Sequence, residues 1–150
     1  MEYRKYGDAF YIRMDKGDEI ISTILQLCKT EGIQSCTFSG IGGCSRALVQ
    51  TFNAETGLFE SRQLEGTLEL ISLNGNVITD QEGTYFHHTH ALFAYKAGND
   101  HVTAGGHMSS LYVSYTAEIE LRPVIAGAIK RKYDPETGTG FWNFSDDGLL

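Results

Sequence analysis

The chain has 150 residues, of which 41% are hydrophobic and only two are proline, which is the size and composition of one globular domain with a substantial core. Its formal net charge of −7, from 12 basic and 19 acidic residues, disfavours direct nucleic-acid binding, because that depends on basic side chains neutralising phosphates. The sequence contains neither a run of roughly 20 apolar residues, as a membrane-spanning helix requires, nor the hydrophobic region of a signal peptide. We therefore expect a cytoplasmic protein without a membrane partner.

The first elements predicted along the chain are a strand at 9–14 and a helix that follows it. Residues 9–14, AFYIRM, alternate between apolar and polar positions after a turn-like Gly7-Asp8 pair. The next segment has acidic residues near its start and ends at Gly32, the residue type expected just after a helix. Its apolar residues recur at helical spacing: Ile20, Ile21, Ile24, Leu25, Leu27 and Cys28. This is the one principal helix that the sequence predicts.

The rest of the chain reads as β-strands separated by Gly, Asn and Asp. We predict β-rich segments at 34–41, 46–53, 57–64, 66–78, 85–95, 101–108, 112–122 and 126–133. One early helix followed by closely spaced strands predicts an α+β domain, mainly antiparallel, in which the helix packs on a sheet or partial barrel. We expect a single domain over 1–150, with an ordered C-terminal tail at about 134–150 whose aromatic side chains need burial.

Three further patterns have ordinary structural interpretations. The odd number of cysteines, Cys28, Cys36 and Cys44, in apolar surroundings indicates buried thiols in a reducing compartment. The glycine-rich segment 39–44, SGIGGC, lacks the third glycine and the following helix of a dinucleotide-binding loop, so it predicts a turn or bulge with close backbone approach. The basic cluster 130–132 is followed at once by acidic residues and predicts a solvated strand end.

Three histidines lie within four consecutive positions of the strand predicted at 85–95. Because side chains alternate between the two faces of a strand, His88 and His90 share one face and His87 points to the other. Same-face neighbours lie about 7 Å apart, which lets two imidazole nitrogens converge on one ion at about 2.0–2.1 Å. A lone histidine on an apolar strand is more often a hydrogen-bonded core or surface residue, so a third ligand is required before the pair indicates a metal.

His101 and His107 are the candidates for that third ligand. His101 lies in the polar stretch AGNDH, where a hairpin turn is expected, so it is predicted to be exposed. An antiparallel hairpin that turns around 97–100 brings His107 back beside His88 and His90. We therefore predict that these three residues form a divalent metal site, with zinc expected, because three imidazoles and an open fourth position are typical of catalytic zinc.

Six segments of the sequence, taken in chain order, carry a family resemblance. They are RMDKGDEIISTIL (13–25), FSGIGG (38–43), LEGTLELISLNGNV (64–77), HTHALFAY (88–95), TAGGHM (103–108) and AEIELRP (117–123). Together they closely resemble the PPC domain, also called DUF296, the plants-and-prokaryotes conserved domain. Plant members join this domain to AT-hooks, whereas bacterial and archaeal members usually consist of the domain alone, and this sequence contains no AT-hook.

The resemblance implies an α+β domain that assembles as a homotrimer. The fold it implies is similar to that of acetolactate decarboxylase and of a related zinc-dependent ester hydrolase, in which three histidines hold a zinc ion. The residues that match are His88, His90 and His107. Members of the family are often described as DNA-binding because of their plant relatives, which is an analogy of fold rather than of site.

A general acid or base for an enzyme at this site has several candidates on nearby strands. They are Glu69, Glu118, Glu120, Arg13 and Tyr85. None is singled out by the sequence, so the catalytic residues stay unassigned and enzymatic activity stays open. We expect a homotrimeric metal-binding protein, hydrolase-like or lyase-like if it is an enzyme. Two alternatives remain open at this point: a DNA-binding or transcription-regulatory protein, and a sensor of a small molecule or anion.

Overall fold

In the computed structural model, which describes residues 1–144, one α-helix and eight β-strands follow one another along the chain. The helix, α1, spans Ile20–Glu31. The strands are β1 (Glu2–Tyr6), β2 (Ala9–Asp15), β3 (Cys36–Asn53), β4 (Leu58–Thr79), β5 (Tyr85–Ala97), β6 (Asp100–Pro123), β7 (Lys130–Asp134) and β8 (Thr139–Asn143).

All eight strands belong to one sheet, in which the hydrogen-bonded order is β1-β2-β6-β3-β4-β7-β8 and β5 pairs with both β4 and β6. The pairings are antiparallel, except for a parallel contact between β4 and β7. Because β3 also pairs with both β4 and β6, the four long strands are linked in a closed circuit. The expected α+β fold, with a mainly antiparallel sheet and one principal helix, is confirmed, and the partial barrel stays a prediction.

Helix α1 begins and ends where its capping residues predict. The carboxylate of Glu19 accepts hydrogen bonds from the backbone N–H groups of Ile21 and Ser22, and Gly32 adopts the left-handed conformation, with φ 67°, that ends many helices. Glu19 also accepts a 2.9 Å hydrogen bond from the backbone N–H of Leu111, which ties the helix to β6. The helix buries its apolar stripe in the core against the sheet: Ile20, Ile21, Ile24, Leu27 and Cys28.

Six of the predicted strand segments are joined in pairs into three long strands, so the predicted breaks between them are wrong. β3 joins 34–41 with 46–53, β4 joins 57–64 with 66–78, and β6 joins 101–108 with 112–122. The reason is visible at the glycine-rich segment, where the pairing register shifts between Gly40 and Gly42 without ending the ladder. A Cβ at Gly42 would lie 2.6 Å from the Cα of Ala117 in β6, so the predicted bulge with close backbone approach is confirmed.

The two ends of the chain contain strands that the sequence analysis missed. β1 is a short, largely exposed edge strand. The segment predicted at 126–133 is a strand only from Lys130, and β8 forms within the stretch that was predicted to be a tail at 134–150. The last part of that predicted tail, 145–150, lies outside the described residues.

The buried residues agree with a reduced, globular core. Cys28, Cys36 and Cys44 are free thiols and are buried, as predicted. The Sγ atoms of Cys28 and Cys36 lie 3.7 Å apart between α1 and β3. Across the residues that the structure describes, no helix is long and apolar enough to cross a membrane.

Candidate metal centre and its cleft

The histidine-rich strand β5 alternates as predicted. Thr89, Ala91 and Phe93 point into the core, and His88 and His90 lie on the opposite, exposed face. The period of two in the strand thus separates the side chains that pack in the core from those that are accessible to a ligand.

A tight hairpin between β5 and β6 supplies the third imidazole. Ala97 pairs with Asp100 across a two-residue turn in which Gly98 has a φ of 65°, and the ladder continues without a shift to the pair His90–His107. Directly opposite residues of an antiparallel pair point to the same face, so His107 joins His90 and His88. The register predicted from the turn is confirmed.

The three imidazoles form a compact group. The Nε2 atoms of His88 and His90 are 3.1 Å apart, and one ligand atom from each of the three residues lies within 4.8 Å of the others. A tetrahedral zinc ion with Zn–N distances of about 2.0–2.1 Å has ligand nitrogens about 3.3 Å apart. The three rings would hold one such ion if they rotated so that the longest of these separations, at most 4.8 Å, shortened to this value.

The surroundings of two of these rings, His88 and His107, favour the neutral form. Burial lowers the pKa of His88, and the neighbouring imidazole of His90 lowers it further. The pKa of His107 is lowered by burial and then by the imidazoles around it. A neutral imidazole offers a free nitrogen lone pair to a metal, so the effects that lower these pKa values favour ligation.

The two remaining histidines lie outside the group of three, as predicted, although His87 lines one cavity together with His88 and His107. His87 faces away from the group, where its Nδ1 lies 3.1 Å from the hydroxyl of Thr89, and burial lowers its pKa. His101 is exposed and pairs with Lys96 near the hairpin turn.

A cleft of about 810 Å³ opens beside the imidazoles of His88 and His107. Aromatic rings form much of its wall, and the ring of Phe59 lies 5.6 Å from the ring of His107. Asn76 lies opposite His88 on β4 and also lines the cleft, and its buried Oδ1 atom has no hydrogen-bond partner within residues 1–144. The other aromatic residues of the wall are Phe52, Phe86, Phe141 and Trp142.

Two hairpins with the same kind of turn border this cleft. The turn between β3 and β4 starts at Asn53, and the turn between β7 and β8 starts at Asp134; in both, the side chain accepts hydrogen bonds from the backbone N–H groups two and three residues later. Each turn ends at Glu-Thr-Gly, with the glycine at a φ of 69° or 68°. Local hydrogen bonds therefore fix both hairpins before any ligand binds.

The sequence of the part of the chain that contains the three histidines identifies the family of this protein. Residues 1–125 match the Plants and Prokaryotes Conserved (PCC) domain family. The chain belongs to this family. The PPC resemblance of the six sequence motifs is thereby confirmed, and no curated protein gives a sequence match.

Three solved structures show how widely the PCC fold is shared. A protein named as a candidate for DNA binding, from Bacteroides thetaiotaomicron, is 23% identical with a TM-score of 0.85, over 95% of this chain and 96% of the other. A metal-containing protein from Archaeoglobus fulgidus is 29% identical with a TM-score of 0.79, over 95% and 96%. A Staphylococcus aureus protein of unknown function, similar to alpha-acetolactate decarboxylase, is 13% identical with a TM-score of 0.54, over 81% and 54%. The last likeness agrees with the acetolactate decarboxylase-like fold that was expected.

The β7–β8 hairpin lies after the part of the chain that matches the PCC domain, and sequence analysis misjudged its basic residues. Lys132 is exposed, as predicted for a solvated strand end. Lys130 instead donates 2.9 Å hydrogen bonds to Gln34 and Thr79, and Arg131 lies half-buried in the wall of the cleft. The aromatic run that follows in the sequence, GFWNF, is the one signal that could have placed this hairpin against a pocket.

The acid and base candidates from the sequence do not meet the histidines. Glu118 pairs with Arg13, and both line a separate groove together with Glu120. Glu69 lines a third hollow. The ring of Tyr85 lies under the ammonium group of Lys29 instead of in the cleft. None of the five predicted candidates lines the cleft, so the catalytic acid and base stay unassigned.

Proposed function

We propose that this PCC-domain protein holds one divalent metal ion, zinc in the first instance, between His88, His90 and His107, at a site for hydrolase-like or lyase-like chemistry. The observation that carries the proposal is the convergence of one nitrogen from each imidazole within 4.8 Å. The all-nitrogen donor set supports zinc or another late transition metal, because magnesium and calcium prefer oxygen ligands. The related protein from Archaeoglobus fulgidus is named as metal-containing, which also supports a metal ion at this site.

The residues around the site fit such an ion. When bound by three neutral imidazoles with one position open, zinc polarises carbonyl groups and lowers the pKa of water to about 7. Asn76 lines the same cleft, and its Oδ1, which has no hydrogen-bond partner among residues 1–144, is an acceptor for an N–H or O–H group of a ligand. The aromatic wall excludes water from the ligand and strengthens polar contacts within the cleft.

Metal content tests the proposal directly. The protein is purified without a nickel column, and its zinc, copper, nickel, iron and manganese are measured by mass spectrometry before and after incubation with zinc. His101→Ala is the matched control, because His101 lies on the same strand as His107 but is exposed and outside the group. We expect about one ion per chain in the wild type and in this control, and none in His107→Ala. A wild-type protein that holds no metal and takes up no zinc would refute the proposal.

We further propose that the protein is a homotrimer, as the family resemblance implies. The outer face of the sheet supports this, because Tyr11, Ile41 and Ile71 are 44%, 58% and 46% exposed and line one groove of about 650 Å³. Contiguous exposed apolar side chains of this kind typically mark a protein–protein contact.

Light scattering during size-exclusion chromatography tests the assembly. A trimer of 16.6 kDa chains has a mass of about 50 kDa. Ile41→Asp places a charge on the proposed interface and is expected to yield monomers. Leu58→Asp is the control, since Leu58 is 66% exposed on the β3–β4 hairpin and lies outside the groove. A monomeric wild type, or a trimeric Ile41→Asp variant, would contradict the proposed interface.

Direct DNA binding is the alternative that the name of the Bacteroides structure raises. At 23% identity this likeness concerns the fold alone. The net charge of −7 opposes binding. In the densest basic cluster, Lys130 is hydrogen-bonded within the chain and Arg131 lies in the wall of the cleft, so neither extends from the surface towards a phosphate backbone. We expect no gel shift at low salt, where even non-specific DNA binders bind. A shift that weakens as salt is added would favour the alternative.

A further inference from the structure

We propose that the cleft beside the three histidines binds a small carboxylic acid with an aromatic or other apolar body, and that Arg131 is the residue that anchors its carboxylate. The inference deepens the proposed function by naming its ligand class, and rests on that function only for the ion expected at one end of the cleft.

Arg131 is held in position but has no anionic partner among the residues that the structure describes. Its guanidinium lies 4.3 Å from the centre of the Phe86 ring, in a cation–π contact, and 5.8 Å from that of Tyr133. Within residues 1–144 it makes no ion pair, although the chain carries a net charge of −7. A guanidinium that contacts aromatic rings and forms no ion pair retains its N–H donors for a ligand, and these form a planar fork that matches a carboxylate.

The backbone opposite Arg131 is shaped to receive its side chain. Gly140 on β8 leaves the space in which the guanidinium lies, and a Cβ at this position would meet the Nε, Cζ and Nη2 atoms of Arg131. Arg131 therefore lies between the ring of Phe86 and the backbone of β8. Such confinement reduces the rotamer entropy that a long side chain loses when it binds an anion.

The hairpin that presents Arg131 is fixed to the rest of the protein. Lys130 bonds to Thr79 and Gln34, and the backbone N–H of Ile129 donates a 3.0 Å hydrogen bond to the hydroxyl of Ser35. At the other end of β7, Asp134 accepts hydrogen bonds from the turn. The guanidinium is thus carried by a strand that is fixed to the protein at its first residues and held in shape by its own turn at the other end, which favours a preorganised binding residue.

The rest of the cleft determines the body of the ligand. A volume of about 810 Å³ lies within the range of small-molecule sites, which are mostly apolar with a few polar groups. Five aromatic side chains line it, and Trp142 and Phe141 remain 43% and 49% exposed without a ligand. Aromatic walls favour a flat or apolar ligand, and the single arginine favours one carboxylate.

The cleft connects Arg131 with the histidines over a short distance. Phe86, on which Arg131 stacks, and His88 are same-face neighbours on β5, a separation of about 7 Å. A ligand whose carboxylate lies on Arg131 therefore presents atoms a few bonds away to the imidazole end. This places the group to be transformed beside the proposed ion and keeps the carboxylate away from it.

The single tryptophan of the chain, Trp142, lies in the wall of the cleft and allows binding to be measured without a label. The probe is 3-phenylpropionate, and 3-phenylpropanamide is its neutral analogue of the same shape. Each is titrated into EDTA-treated and into zinc-loaded protein while Trp142 fluorescence is recorded, and calorimetry repeats the measurement. We expect saturable binding of the carboxylate in both forms, and binding of the amide weaker by about tenfold or more, since a charge-assisted hydrogen bond is lost.

Three variants separate anchoring from general charge. Arg131→Gln is expected to raise the dissociation constant of 3-phenylpropionate by about tenfold or more. Its control, Lys132→Gln, removes an exposed charge from the opposite face of the same strand and is expected to leave this constant unchanged. Gly140→Ala keeps every charge but displaces the guanidinium, so it is expected to weaken the probe as well. Circular dichroism and melting temperatures establish that each variant is folded.

The outcomes distinguish this inference from the proposed function. If the protein holds no metal but still binds the probe through Arg131, the inference stands and the metal proposal fails. If the probe binds only to zinc-loaded protein, with the same affinity in Arg131→Gln, the carboxylate binds the ion and the inference is overturned. Absence of binding to both forms of the wild type overturns it too.

Discussion

Gly105, two residues before His107, permits the close approach of β5 and β6 that brings the histidines together, and its replacement by alanine should disrupt the metal centre. A Cβ at Gly105 would lie 3.0 Å from the Cα of Leu92 and closer still to the carbonyl oxygen of Ala91. Ordinary contacts begin at 3.4 Å, so the two strands must separate by at least about 0.4 Å at this point. Metal–ligand distances tolerate about 0.2 Å. We therefore expect Gly105→Ala to weaken zinc binding by about tenfold or more and to lower the free energy of unfolding by about 1–3 kcal/mol.

The assay pairs zinc affinity, measured by competition with a chromogenic chelator, with urea unfolding followed by circular dichroism. Gly127→Ala is the matched control, since a Cβ there meets nothing within 4 Å and its φ is not in the left-handed region. The control should behave as the wild type in both measurements. If Gly105→Ala bound zinc with unchanged affinity and unfolded at the same urea concentration, close strand approach would not be what positions His107.

Three further predictions follow from contacts of the core. Glu19→Ala removes the cap of α1 and its bond to Leu111, and is expected to lower the free energy of unfolding by about 1–3 kcal/mol in urea; an unchanged midpoint would contradict this role. Burial, and then the charge of Glu19, raise the pKa of Cys44 from 9.0 to about 12. Ellman's reagent at pH 8 should therefore react with Cys44 only after unfolding. The thiol of the folded protein keeps its proton up to a higher pH than that of the unfolded chain, so the free energy of unfolding should fall as the pH rises from about 9 towards 12. Phe93→Ala removes a side chain that is 0% exposed and should lower the free energy of unfolding by about 3–5 kcal/mol in the same urea assay. A decrease below about 1 kcal/mol would show that the surrounding residues close the cavity.

The group of three histidines could be predicted because its geometry is local. The alternation of β5 separates His88 and His90 from His87, and the tight turn at Gly98 fixes the β5 partners of residues 100–107 on β6. His90 lies seven residues before Ala97, and His107 lies seven residues after Asp100, so the register follows from the position of the turn alone. The helix could be predicted for the same reason, since the residues that cap it, Glu19 and Gly32, are adjacent to its ends in the sequence.

The parts that escaped prediction depend on contacts between distant segments. The predicted breaks in β3, β4 and β6 fall at glycines and register shifts, where the strand bends while its partner continues alongside. β1 and β8 are short edge strands whose pairing, rather than their pattern, makes them strands. The position of Arg131 depends on the packing of the β7–β8 hairpin against Phe86 in β5. Such a contact between distant segments leaves no periodic pattern in the sequence.

Because of the closed circuit of strands, we also expect the fold to persist without a bound metal ion. β5 and β6 are each bonded to neighbours on both sides, and the free edges of the sheet are β1 and β8. In small zinc modules the folded chain exists only while the ion is present. The histidines of this protein lie on strands that are paired on both sides, so we expect a chelator to remove a bound ion without unfolding the chain and to leave a correctly spaced site that zinc or another cation can refill.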